Sequence, residues 1–189
     1  MDDIHSELNA ADAHSKRLAW WKYILAFLAL AAFIVLMSFA LEHSQAGSIP
    51  IGESVPDLTL TTFDGQNIST SQMQGKVIFI NFWASWCQPC ASEATLLEQA
   101  YNQYQAGGQV AFIGIDYIDT ESNGLSFIKQ YSITYPNGPD LGSRISQIFN
   151  IQGVPETYIF DRQGHLAFKQ LGPFSSLSAV TDVINPLLK

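Results

Sequence analysis

The sequence predicts an α/β domain on a mixed, mostly parallel sheet flanked by helices, carried behind one transmembrane helix. Three observations lead there. Tyr23 to Leu41 is a 19-residue run without charge; strand-like and helix-like segments alternate from Val77 onward; and two cysteines, Cys87 and Cys90, stand where a buried strand hands over to a helix. With 189 residues there is room for one domain of ordinary size plus an appended segment, and an apolar share of 47% is enough to bury a core.

The run YILAFLALAAFIVLMSFAL would span about 28 Å as a helix, close to the hydrocarbon thickness of a bilayer. Trp20, Trp21 and Tyr23 cluster at its entrance, where amphipathic rings favour the headgroup zone. Lys16, Arg17 and Lys22 precede it and the next basic residue is Lys76, so the positive-inside bias keeps residues 1–22 in the cytoplasm and exports the rest. Asp2, Asp3, Glu7 and Asp12 make that tail acidic, but the bias counts Lys and Arg. A cleaved signal peptide is the alternative, with small residues at Ser38-Phe39-Ala40 and Ser44-Gln45-Ala46, yet signal cores run only about 7–15 residues. The expected location is therefore the cytoplasmic membrane, crossed once over residues 23–41, with the domain on the outer face.

Residues 42–54, with Gly47, Ser48, Pro50 and Gly52, have the composition of a tether, and the domain is expected over residues 55–189. It opens with alternating residues from Asp57 that meet Asp64-Gly65, a hairpin signal. Val77 to Trp83 is almost continuously apolar and is predicted to be a central strand buried on both faces. A helix follows from about Gln88 to Gln105, rich in Ala, Leu, Glu and Gln, and stops at Gly107-Gly108. Val110 to Asp116 is a second buried strand and Glu121 to Tyr131 a second helix, an alternation that demands parallel pairing. Ser132 to Gly142 is rich in turn formers and is expected as loop, with a short helix over 143–149. Thr157 to Phe160, the turn Asp161 to Gly164 and Leu166 to Leu171 form an antiparallel hairpin, and Leu177 to Leu188 a closing helix.

Composition excludes two classes of partner. The net charge of -8 comes with no Lys/Arg cluster, which disfavours nucleic acid, since phosphates are held chiefly by grouped cations. His5, His14, His43 and His165 are scattered and there are only two cysteines, so no metal site is expected.

Cys87-Gln88-Pro89-Cys90 carries the chemistry. Disulfide exchange needs one thiol that is accessible and readily ionised and a second close enough to release it from a mixed disulfide. At a strand-to-helix junction the helix N-terminus would stabilise the Cys87 thiolate, making Cys87 the attacking sulfur and Cys90, one turn further in, the resolving one. Pro89 suits a first helical turn, where no hydrogen bond is lost. The redox-active pair is expected to need no other cofactor.

Asn81-Phe-Trp-Ala-Ser-Trp-Cys-Gln-Pro-Cys90, the approach Gln74 to Ile80, and Gly153-Val-Pro-Glu-Thr157 before a strand together resemble the TlpA/ResA/CcmG group of anchored thioredoxin-like reductases, over about Gly52 to Lys189. The resemblance implies a thioredoxin-like fold with an added N-terminal hairpin and a central insertion, here much of Tyr117 to Asn150. It also implies a cis Val154-Pro155 peptide facing the cysteines, where residues alone read only as a turn. There the Val154 backbone and Pro155, flanked by Trp86, would bind an extended substrate segment. The substrates implied are protein disulfides outside the cytoplasm, notably the haem-attachment cysteines of apocytochrome c, with electrons from a membrane donor of thiol-disulfide type. Cytoplasmic thioredoxin has a buried Asp where Asn81 stands; Glu93, in Cys-x-x-Cys-x-x-Glu, and Glu156 are the candidate acids in its place. Many members carry a proline where this chain has Thr95, so the helix bend is expected to differ.

Three rival readings are weaker. A peroxiredoxin-like peroxidase needs Pro and Thr where Ile80 and Ala84 stand, a copper-delivery module needs wider cysteine spacing and a histidine ligand for which His165 is the lone candidate, and a redox-inactive platform leaves both cysteines unexplained.

Overall fold

The computed structural model describes residues 20–38 and 49–189, which fall into two units. In the first, helix α1 (Trp20–Ser38) has a mean hydropathy of 2.0 and is long and apolar enough to cross a membrane. It already includes Trp20, Trp21 and Lys22, ahead of the expected Tyr23, since none of the three breaks a helix. Lys16, Arg17, the end of the apolar run, both cleavage candidates beyond Ser38 and most of the tether lie outside the described residues, as do His5, His14 and His43.

In the second unit, β1 (Thr59–Thr61) and β2 (Asn67–Ser69) form the expected hairpin, with Gly65 at φ 81° in its turn, a conformation that favours glycine. The main sheet holds β3 (Val77–Trp83), β4 (Val110–Tyr117), β5 (Asn137–Asp140), β6 (Glu156–Phe160) and β7 (Leu166–Leu171), in the order β5-β4-β3-β6-β7. β3 pairs parallel with β4 and β4 with β5, whereas β6 is antiparallel to both β3 and β7. All seven residues of β3 are buried, as its continuous apolar run predicts.

The helices are α2 (Gln88–Tyr104), α3 (Glu121–Gln130), α4 (Arg144–Phe149) and α5 (Leu177–Leu187). Alternation along β3 divides the core in two. Phe79 and Trp83 join Ala94 and Leu97 of α2, Phe127 of α3, and Val180 and Ile184 of α5. Ile78, Ile80 and Phe82 pack with Leu58 and Leu60 of the hairpin segment and with Ile145 and Phe149 of α4.

Two segments depart from expectation. Asn137-Gly-Pro-Asp140 is not a loop but the edge strand β5. β4 templates it, Phe63 N–H donates to Asn137 O on its other side, and the Trp83 indole donates to Asn137 Oδ1 at 2.8 Å. Gly114 makes room for that side chain: a Cβ there would lie 1.7 Å from Asn137 Oδ1. Gly52 to Ser54, expected in the tether, instead run beside the start of β7, with Gly52 N–H donating to Leu166 O at 2.8 Å. A hydrogen-bonded edge outcompetes the flexibility their composition offers.

Candidate active site

β3 ends at Trp83, a three-residue turn follows, and Cys87 is the N-cap of α2. The register Phe82 to Glu156 brings the loop before β6 to the same end of the sheet. Topology alone thus places Cys87, Cys90 and the Val154–Pro155 peptide together, and that peptide is cis.

Cys87 and Cys90 form a disulfide. The Cys90 backbone N–H donates to Cys87 Sγ at 3.1 Å, so an unpaired amide of the first helical turn is aimed at that sulfur, as a thiolate there would require. Val154 O lies 3.5 Å from Cys87 Sγ. The accessibility expected of Cys87 is small in this oxidised form, 4% exposed against 1% for Cys90. Trp86 is 60% exposed, and its indole donates to Ile118 O at 3.2 Å; Trp83 is buried and stacks on Phe127.

Glu93 lies one turn after Cys90 and is 1% exposed, so it is not a solvated helix residue. Its Oε1 accepts from the Asn81 amide at 3.0 Å and its Oε2 from Phe174 N–H at 2.8 Å, while the same Asn81 amide also donates to Thr157 Oγ1. Burial raises its pKa to about 7 against the opposing pull of those two donors. Nothing in the sequence singled out Thr157 or the Phe174 amide; Asn81 had registered only as a non-titrating replacement.

Glu156 is equally buried, not a rim charge. Its Oε1 accepts from Gln152 N–H at 2.6 Å and Gly153 N–H at 3.0 Å, and the Tyr158 hydroxyl donates to Oε2 at 2.8 Å. It fixes the loop that presents Val154 and Pro155. His165, the copper candidate, sits in the β6–β7 turn, at the far end of the strands from the cysteines.

This arrangement can form and resolve a mixed disulfide: one sulfur under a helix N-terminus, a second one turn deeper, and a buried acid titrating near neutrality on the same helix.

Residues 51–169 match the AhpC/TSA family. Over 122 residues the chain is 31% identical to a thiol-disulfide oxidoreductase ResA of Bacillus cereus, covering 65% of this chain and 70% of that one. ResA of Oceanobacillus iheyensis is 25% identical over 170 residues, covering 88% and 87% of the two chains. Among solved structures, a thiol:disulfide interchange protein of the thioredoxin family from Chlorobium tepidum superposes with a TM-score of 0.67 at 26% identity, covering 75% of this chain and 100% of that one. A secreted thiol-disulfide isomerase from Corynebacterium glutamicum superposes at 0.65 and 25% identity, over 71% and 84% of the two chains. The chain belongs to the AhpC/TSA family, and with its thioredoxin-like fold and disulfide-bonded Cys-x-x-Cys it is a thiol-disulfide oxidoreductase.

Proposed function

We propose that the chain is a membrane-anchored reductant of protein disulfides outside the cytoplasm, with the haem-attachment cysteines of apocytochrome c as the expected substrate class. The observation that carries this reading is Cys87 capping α2 with its sulfur against the Val154 carbonyl of the cis-proline loop. Reduced Cys87 attacks one sulfur of the substrate disulfide; the new mixed disulfide forms and the other substrate sulfur leaves as a thiolate that takes a proton from water. Cys90, having passed its proton toward Glu93, attacks Cys87 Sγ, which closes the Cys87–Cys90 disulfide and frees the second substrate thiolate. Two electrons have moved to the substrate, and a membrane donor of thiol-disulfide type restores the dithiol. The Val154 backbone holds the extended substrate by short strand addition. The cysteine pair is the only cofactor the cycle needs.

Two further observations support the direction and place. Gln88 and Pro89 put no positive charge beside Cys87, so its thiolate is not stabilised to the degree of a strong oxidant. α1 is of membrane-crossing length, and one structural relative is described as secreted. Equilibrating the full chain in detergent with thiol buffers and trapping free thiols gives its reduction potential. A value near about -270 mV supports a reductant; one near about -120 mV would mean disulfide formation instead.

A further inference from the structure

Ile118, in the turn after β4, has φ 46°, a left-handed backbone that is rare for a β-branched residue. Such a conformation persists only where its surroundings fix it, and it concentrates at functional positions. What fixes it here is the segment just before Cys87. Ile118 O accepts the Trp86 indole N–H, and Asp119 Oδ2 accepts Ser85 N–H at 2.8 Å while Oδ1 accepts Thr120 N–H at 2.7 Å. Burial opposes the Asp119 charge, but the hydrogen bonds from Ser85, Thr120 and Asn123 outweigh it and hold that carboxyl below the usual range.

The outcome is two large apolar side chains kept in water: Trp86 is 60% exposed and Ile118 53%. Singly, either would be unremarked surface. Here the Trp86 indole is hydrogen-bonded to the Ile118 backbone carbonyl, and Trp86 is the chain neighbour of Cys87, whose sulfur lies 3.5 Å from the Val154 carbonyl. Two exposed apolar side chains thus stand on the segment that leads into Cys87 and on the turn hydrogen-bonded to that segment.

We propose that Ile118, with Trp86, is a specificity-determining wall that receives a large apolar side chain next to the attacked cysteine of an extended protein substrate. This rests on the exchange reading above, since the wall has meaning only beside a reactive Cys87.

The test uses the full chain in detergent, reduced beforehand, with two short peptides that differ only in Leu or Ser before a cysteine capped as a mixed disulfide with thionitrobenzoate. Hydroxyethyl disulfide, which offers no side chain, is the third substrate. The wild type is expected to react about tenfold faster with the Leu peptide than with the Ser peptide. Ile118→Asn keeps the backbone carbonyl and tolerates positive φ, and should cut that ratio to about twofold, whereas Ile118→Leu should retain it. Equal wild-type rates on the two peptides, or an undiminished ratio in Ile118→Asn, would overturn the wall while leaving exchange intact. No reaction of the wild type even with hydroxyethyl disulfide would overturn both.

Discussion

Glu93 on α2 and Asp116 at the end of β4 are each 1% exposed, and burial lifts both carboxyls to about 7, yet their surroundings differ in every other respect. Glu93 has a donor on each oxygen, Asn81 and the Phe174 amide. Neither oxygen of Asp116 has a hydrogen-bond partner among the described residues, and its second perturbing influence is the negative charge of Asp119. Donors favour the ionised form and burial the neutral one, so Glu93 is balanced between them in a fixed orientation. Asp116 is pushed one way only. An acid that must take up and release a proton needs the first environment; the second makes ionisation a cost to the fold.

The largest effect should separate the two in catalysis. In Glu93→Gln the exchange with a peptide disulfide is expected to slow by about 100-fold at the resolving step and to lose its pH-dependent limb near 7, because the carboxylate proposed to accept the Cys90 proton is gone. Stopped-flow accumulation of the Cys87 mixed disulfide reads this directly. Asp116→Asn should change neither rate nor profile by more than about twofold. If it shifted the pH profile as Glu93→Gln does, the distinction drawn from partners would be broken.

A second substitution sharpens the same contrast through packing. Gly124 of α3 lies over Asp116, and a Cβ there would meet Asp116 Oδ2 at 2.3 Å and Phe63 Cζ at 2.8 Å. Gly124→Ala would normally favour a helix by up to about 1 kcal/mol; here overpacking should reverse the sign and destabilise by about 1–3 kcal/mol. Denaturant unfolding of the full chain in detergent measures it.

Much of this contrast was hidden in the sequence. β3 and β4 were legible because continuous apolar runs have few other destinations, and the cysteine pair because a Cys-x-x-Cys between such a strand and a helix has one physical use. β5 was not, since Asn-Gly-Pro-Asp is turn chemistry that only pairing with β4 and the bonds from Phe63 and Trp83 override. Glu156 stood only as a candidate acid, and its burial and role in fixing the loop were not legible, because two of its donors are backbone amides of its own loop, which no side-chain pattern reveals. Asp116 read simply as the polar end of a strand; what seals it, Gly124 and Phe63, comes from an adjoining helix and the distant hairpin turn.

The smallest effect is a stability difference that depends on pH. Asp116 and Glu93 keep their protons to about pH 7 when folded but lose them near pH 4 when unfolded, so between those values the folded state holds more protons. Stability therefore falls as pH rises through that window and levels off above it. Asp116→Asn cannot ionise, so relative to the wild type it should gain on the order of 1 kcal/mol between about pH 5 and about pH 8. Chemical denaturation of the full chain in detergent at the two pH values gives the comparison, with Glu93→Gln as the reference for the other buried acid. A gap between Asp116→Asn and wild type that stays constant across that range would mean Asp116 is already ionised in the folded protein, and burial without partners would not describe it.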